Sequence, residues 1–150
     1  MTDNAPRIVV GVDGSDSSLQ GLRWAASIAA VSGARVEAVA AWDFPAAYGL
    51  VAGPIDWDPS ADVTAMLDDS VKTVFGSDPD NVTLTCREGG AARVLLERSE
   101  GAVLLIVGSR GHGGFAGLLL GSVSASVAEH ATCPVLVVHG DQMLPMTASG

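Results

Sequence analysis

Two stretches of this chain gather chemically capable residue types, and the first could hold an anion. The first is Gly108-Ser109-Arg110-Gly111-His112-Gly113-Gly114, which runs on to Leu120-Gly121-Ser122-Val123-Ser124. Four glycines in seven residues cost folding entropy, and that cost has to be offset. In return, backbone N–H groups can turn toward a ligand with no Cβ in the way. Gly121-Ser122 then opens a helix whose free N–H groups and dipole favour a phosphate. Ser122 and Ser124 add hydroxyl donors there, and Arg110 can swing onto outer phosphates. A surface loop with capping serines is the other reading that glycine content leaves open. The second stretch is Gly11-Val12-Asp13-Gly14-Ser15, where Asp13 closes an apolar run.

These segments need elements to position them, and the hydrophobic pattern supplies alternating strands and helices. Arg7 to Val12 is nearly continuous and β-branched, as suits a parallel strand buried on both faces. Ser15 is the expected N-cap of a helix carrying Leu19, Leu22, Ala26 and Ala29 on one stripe, ended by Gly33. Arg35–Trp42 is a second strand. The punctuated segment Asp43–Ser60 is a long loop with Phe44, Tyr48 and Trp57, a lid, a contact surface or a plain insertion. A helix over Ala61–Phe75, a strand over Val82–Arg87 and a short helix over Ala91–Ser99 follow. Ala102–Val107 is the most apolar strand and is expected to be central. Ser122–Ala131 is the fourth helix, Pro134–Val138 the fifth strand, and Asp141–Gly150 a frayed tail. Such alternation predicts one α/β domain with a mostly parallel sheet and right-handed crossovers. In open sheets of this kind ligands sit beyond the carboxyl ends of strands, where strand order reverses. Both glycine-bearing segments fall at such ends.

Composition narrows the partners. The chain has 150 residues, 48% hydrophobic and 17% charged, enough for one core and unlike a disordered sequence. Eight basic residues against 17 acidic ones give a net charge of -9, which repels nucleic-acid backbone and anionic membrane. A phosphate held here is therefore held by local backbone geometry. Cys86 and Cys133 are too few and too far apart for a disulfide scaffold or a zinc site. With no leader pattern and no apolar run of membrane length, the expectation is a cytoplasmic protein. His112 lacks a carboxylate at fixed spacing, and His130 and His139 form no metal-ligand spacing.

Two common phosphate fingerprints fail. No lysine lies in the loop, so it is not a Walker A motif, and Val-Asp-Gly-Ser follows the first strand where G-x-G-x-x-G would stand. What does match is G-x2-G-x9-G-[S/T], at Gly108, Gly111, Gly121 and Ser122. Together with the opening Ile-Val-Val-Gly-Val-Asp-Gly-Ser, the Leu-Gly-Ser-Val-Ser segment and the closing Cys-Pro-Val-Leu-Val-Val, this chain resembles the universal stress protein family, in its ATP-binding branch. The resemblance runs from Arg7 to His139. It implies a Rossmann-like sheet of five parallel strands in order 3-2-1-4-5, with helices on both faces, of the adenine nucleotide alpha hydrolase type.

By that resemblance Gly108, Gly111, Gly121 and Ser122 hold phosphates and ribose, and Val123 and Ser124 add contacts at the helix start. Asp13 lies near the ribose and phosphates, Gly11 and Val12 lie beside the adenine, and the Ala41 backbone reads the adenine edge. Asp13 can also help place Mg²⁺ through water, the alternative being an Asp turn that starts the first helix. The implied ligand is ATP, with Mg²⁺ allowed. The implied activity is a regulatory role in stress, with at most slow hydrolysis. An ATP-using enzyme acting on a small substrate is the alternative, although the histidine-rich motif expected of adenylyl transfer is missing from Asp13-Gly14-Ser15-Asp16. Val135, Leu136, Val137 and Val138 would form an apolar sheet edge, and pairing with a second copy across a two-fold axis would cover it. A homodimer is therefore expected.

Overall fold

The protein is seen here as a computed structural model, which describes residues 5–43, 59–77, 79–109 and 121–139. Most of the Asp43–Ser60 loop, the glycine-rich loop beyond Ser109 with Arg110, Gly111 and His112, and the Asp141–Gly150 tail lie outside the described residues.

The elements run β1 (Arg7–Gly11), α1 (Asp16–Ser32), β2 (Arg35–Trp42), α2 (Pro59–Phe75), β3 (Val82–Glu88), α3 (Ala91–Arg98), β4 (Leu104–Gly108), α4 (Ser122–His130) and β5 (Val135–Val138). The strands form one parallel sheet in the order β3-β2-β1-β4-β5, as expected. β1 takes the middle and β4 stands beside it. Boundaries shift by a residue or two for local reasons. α2 starts at Pro59, two residues early, because a helix's first turn has no use for the N–H that proline lacks. β4 starts at Leu104 because Ala102 spends its N–H on the Ser99 carbonyl at 2.9 Å, in a turn.

Alternate side chains of β1, β2, β4 and β5 feed two cores. Ile8, Val10, Val36 and Ile106 meet Leu22 of α1 and Leu67 and Val71 of α2 on one face. Val9, Val39, Leu105 and Val107 meet Val94 and Leu95 of α3 and Val127 of α4 on the other. The buried stripe of α1 is Ser18, Gly21, Leu22, Ala25 and Ala29, so Ala25 faces the sheet where Ala26 was expected. Small residues let the helix approach closely: a Cβ on Gly21 would stand 3.3 Å from Ile106 Cγ2. Ser15 caps α1 by accepting the Ser18 N–H at 3.3 Å, and Gly33 ends it in the left-handed region at φ 76°.

Candidate functional site

The connection leaving β1 runs to α1 on one face, while α4, the next helix after β4, stands on the other. A crevice opens between them above the carboxyl ends of the two strands. Gly11, Val12, Asp13, Ser15 and Ser18 line it from the β1 side, and Val107, Gly108, Val123 and Ser124 from the β4 side. Val39 and Ala41 of β2 and Ala91 and Leu95 of α3 close its base.

One end of the crevice is made of backbone groups left over by the sheet. Arg35 N–H donates to the Pro6 carbonyl at 2.7 Å, and Val12 N–H donates to the Val39 carbonyl at 2.8 Å. The odd-numbered residues of β2 thus face β1, while Val36 and Trp42 bond on the β3 side. The β1–β2 register ends at Gly11 opposite Val39. Ala41 is next in the alternation, so its N–H and C=O point toward the space β1 has left. A donor and an acceptor side by side match the ring nitrogen and exocyclic amine of an adenine edge.

The other end is the start of α4. Gly121 is its N-cap residue, with no side-chain cap, and its carbonyl takes the first helical bond, from Ala125 N–H at 2.9 Å. The N–H groups of Ser122, Val123 and Ser124 therefore have no partner among the described residues, unlike the serine-capped start of α1. Gly121 N–H donates to the Ser109 carbonyl at 2.6 Å. The same carbonyl accepts the Ser124 hydroxyl at 2.9 Å. That corrects one expectation: the Ser124 hydroxyl proton clasps the two ends of the glycine-rich loop, so Ser124 offers the crevice its N–H instead. Ser122 is exposed at the helix start and is not among the lining residues.

Asp13 makes the turn that composition allowed. Its Oδ1 accepts Ser15 N–H at 2.9 Å and Ser15 Oγ–H at 2.5 Å, with Gly14 between them at φ 84°. Its own N–H donates to Ser18 Oγ at 3.3 Å. The carboxylate is still exposed at the crevice mouth, and among the described lining residues it is the sole acid. No group of three or more His, Cys, Asp or Glu side chains that could hold a metal occurs among the described residues.

Of the residues expected at a site, Gly11, Val12, Asp13, Ala41, Gly108, Val123 and Ser124 line one crevice, and Gly121 and Ser122, which precede Val123 in the chain, are not among its lining residues. Arg110 and Gly111 fall outside the described residues. Sequence reasoning named Ser15 within the first glycine-bearing stretch but missed Ser18, Val39, Ala91, Leu95 and Val107. Val39 was within reach, being two residues before Ala41 and so on the same face of β2. Leu95 was not. It arrives from a helix distant in sequence, and Gly11 admits it: a Cβ there would lie 2.9 Å from Leu95 Cδ1.

A doubly wound parallel sheet with a crevice at its switch point defines a Rossmann-like α/β fold. Comparison with known proteins gives the family. The universal stress protein family model matches residues 5–139, and the chain belongs to that family. Universal stress protein Rv2623 of Mycobacterium tuberculosis is 32% identical over 147 residues, covering 92% of this chain and 49% of that protein. The chain thus spans about half the length of the first of the curated relatives it matches. Universal stress protein Rv1636 of the same organism is 36% identical over 140 residues, covering 88% of this chain and 94% of that one. Among solved structures, a universal stress protein in complex with cAMP is 32% identical, with a TM-score of 0.68 over 91% of this chain and 98% of that one. UspA from Lactobacillus plantarum shares the fold at 23% identity and the same TM-score, over 91% and 99% of the two chains. Among the described residues, no helix is long and apolar enough to cross a membrane.

Proposed function

We propose that this chain binds an adenine nucleotide, ATP, in the crevice between β1 and β4, and works as a dimeric nucleotide-dependent regulator in stress response. The observation that carries this is a pairing within one crevice: Ala41's outward N–H and C=O at one end, and α4's uncapped N–H groups at the other. The first suits the adenine edge. The second suits phosphate, since a helix start favours negative charge without any lysine. Gly108, Gly121, Ser122 and Val123, with Gly111 and Arg110 from the loop between, take the phosphates and ribose in this reading, and Gly11 and Val12 flank the base. The 32%-identical relative with cAMP supports an adenine nucleotide as the ligand class.

Mg²⁺ fits as a companion of the phosphates. It keeps several waters and needs only one or two carboxylates, and Asp13 is the one placed to help. The described lining offers amides, serine hydroxyls and this single acid, a set suited to holding a nucleotide, which favours binding with at most slow hydrolysis. β5 stands at the sheet edge, and we read Val135–Val138 as the dimer seam.

Thermal shift with ATP, ADP, AMP and cAMP tests the reading. At 100 times its dissociation constant a ligand stabilises the native state by about 2.7 kcal/mol. Gly121→Asp puts a carboxylate on those amides. Aspartate is a good N-cap, so the unliganded variant should melt no lower than wild type while losing the ATP-dependent rise. A wild-type melt indifferent to all four nucleotides refutes the proposal, and a rise with cAMP alone refutes ATP as the ligand.

A further inference from the structure

The N–H and C=O of Ala41 cannot by themselves tell a purine from a pyrimidine. Adenine and cytosine both set a ring nitrogen beside an exocyclic amine, so a donor and an acceptor side by side accept either edge. The two bases differ in apolar area, a double ring against a single one. That difference has to be read by side chains.

The side chains at this end of the crevice come largely from α3. Gly89 N–H donates to the Trp42 carbonyl at 2.8 Å, which ties the start of α3 to the end of β2. Gly90 is the N-cap, with no side chain to intrude, and Ala91, the first helical residue, lines the crevice. One turn on, Leu95 lines it too. A Cβ on Gly11 would stand 2.9 and 3.3 Å from the two Leu95 methyls and 3.5 Å from Val107 Cγ1, so the leucine lies close against the main chain of β1. Val39 and Ala41, on one face of β2, complete an apolar wall. Val39, Leu95 and Val107 are buried in the core beneath the crevice, which fixes their size. Ala91 is half-buried at a helix start, so its size is set by no such packing.

We propose that this wall makes the site select purine over pyrimidine, and that Ala91 is the specificity-determining residue that lets a two-ring base lie against it. The inference rests on the crevice taking a nucleotide as proposed above. A base inserted beside Ala41 covers apolar surface on Gly11, Ala91 and Leu95, and the larger base covers more, which favours it in proportion to the area removed from water. The alanine methyl leaves that space open. A longer side chain at position 91 fills it from the α3 side, while the N–H groups at the start of α4 stay free for phosphate.

The test compares the dissociation constants of the full chain for ATP and CTP, which share ribose and phosphates and offer Ala41 the same edge. Wild type should prefer ATP by about tenfold or more, the discrimination an apolar pocket draws from a small difference in contact. Ala91→Leu should weaken ATP by about tenfold or more and bring the preference to within about threefold of unity, because CTP has less contact to lose. Ala92→Leu adds the same side chain one residue along, in the hollow between α3 and α4 and outside the crevice. Any strain it adds there lowers stability and leaves the ratio of the two affinities at its wild-type value. A wild-type preference below about threefold overturns the proposal, as does one that Ala91→Leu leaves intact or that Ala92→Leu abolishes equally. Failure of wild type to bind either nucleotide refutes the nucleotide reading itself, and this inference with it.

Discussion

Ser17, in the first turn of α1, packs directly on Gly108 at the last position of β4. A Cβ built on Gly108 would fall on the Ser17 hydroxyl, 2.9 Å from Ser17 Cβ and 3.2 Å from its carbonyl carbon. The glycine that opens the loop is thus also the one that lets α1 begin against the sheet. Since main chain is among the obstacles, a side-chain rotation alone cannot relieve the clash. Gly108→Ala is predicted to destabilise by about 1–3 kcal/mol. At roughly 2–4 °C per kcal/mol for this chain length, the melting temperature drops by several degrees. Gly21→Ala is the control. Its one tight neighbour is the end of Ile106 at 3.3 Å, and alanine gains about 1 kcal/mol of helix propensity, so stability should stay within about 1 kcal/mol of wild type. Equal losses in the two variants would contradict this account.

Asp13 has a turn to make and, in the proposed function, a ligand to meet. Asp13→Asn keeps an oxygen for the Ser15 N–H and should change stability by no more than about 0.5 kcal/mol. Nucleotide affinity in that variant should fall about tenfold if the charge serves the ligand. Ser15→Ala should instead cost about 1 kcal/mol through the lost cap of α1. Calorimetric titration showing wild-type affinity in Asp13→Asn would leave Asp13 as a turn residue only.

Glu37 supplies the only negative charge to which Arg7 and Arg98 side chains are joined at the amino-terminal end of the described sheet. Glu37→Gln leaves two guanidiniums facing a neutral amide. Breaking a fully buried pair costs about 3–5 kcal/mol. Here the arginine side chains are 33% and 37% exposed, so roughly 2 kcal/mol is expected after allowance for solvent screening. Urea unfolding is the measurement, and a loss below about 0.5 kcal/mol would show that these ion pairs contribute little.

The edge of β5 has a defined polarity. Leu105 N–H donates to Pro134 and Ser109 N–H to Val138, at 2.9 and 2.8 Å, so even-numbered residues face β4. Val135 and Val137 therefore present their N–H and C=O groups outward. Val137→Pro deletes one outward donor and spares the β4 ladder, a substitution edge strands tolerate. Light scattering should show the proposed dimer giving way to single chains, with the far-ultraviolet circular dichroism retained. Particles of one chain's mass already in wild type would contradict the seam.

Much of this protein was legible before any coordinates. Strands and helices announce themselves by period, Ser15 and Gly33 by the chemistry of helix ends, and the crevice between β1 and β4 by the glycine-bearing segments that follow both strands. Those signals are local, readable wherever neighbours in sequence are neighbours in space. The Ser109–Gly121 clasp is different. Its serine and glycine flank a loop, and only folding decides that the Ser124 hydroxyl serves the loop and not a ligand.

In sequence, Glu37 of Arg35-Val36-Glu37-Ala38 is a single acid within an otherwise mostly apolar strand. Its meaning depends on Arg7, Arg98 and Thr85, which lie 30, 61 and 48 residues away. Local sequence thus determined the elements and the residue types that stand at the carboxyl ends of β1 and β4. Tertiary structure alone decided that Leu95 lies under Gly11, that the Ala41 N–H and C=O face the space beyond the end of β1, and that three arginines gather at the far end. The reason is that strand order, and with it which face a helix leaves bare, follows from how distant segments pack, and no short window of sequence contains that information.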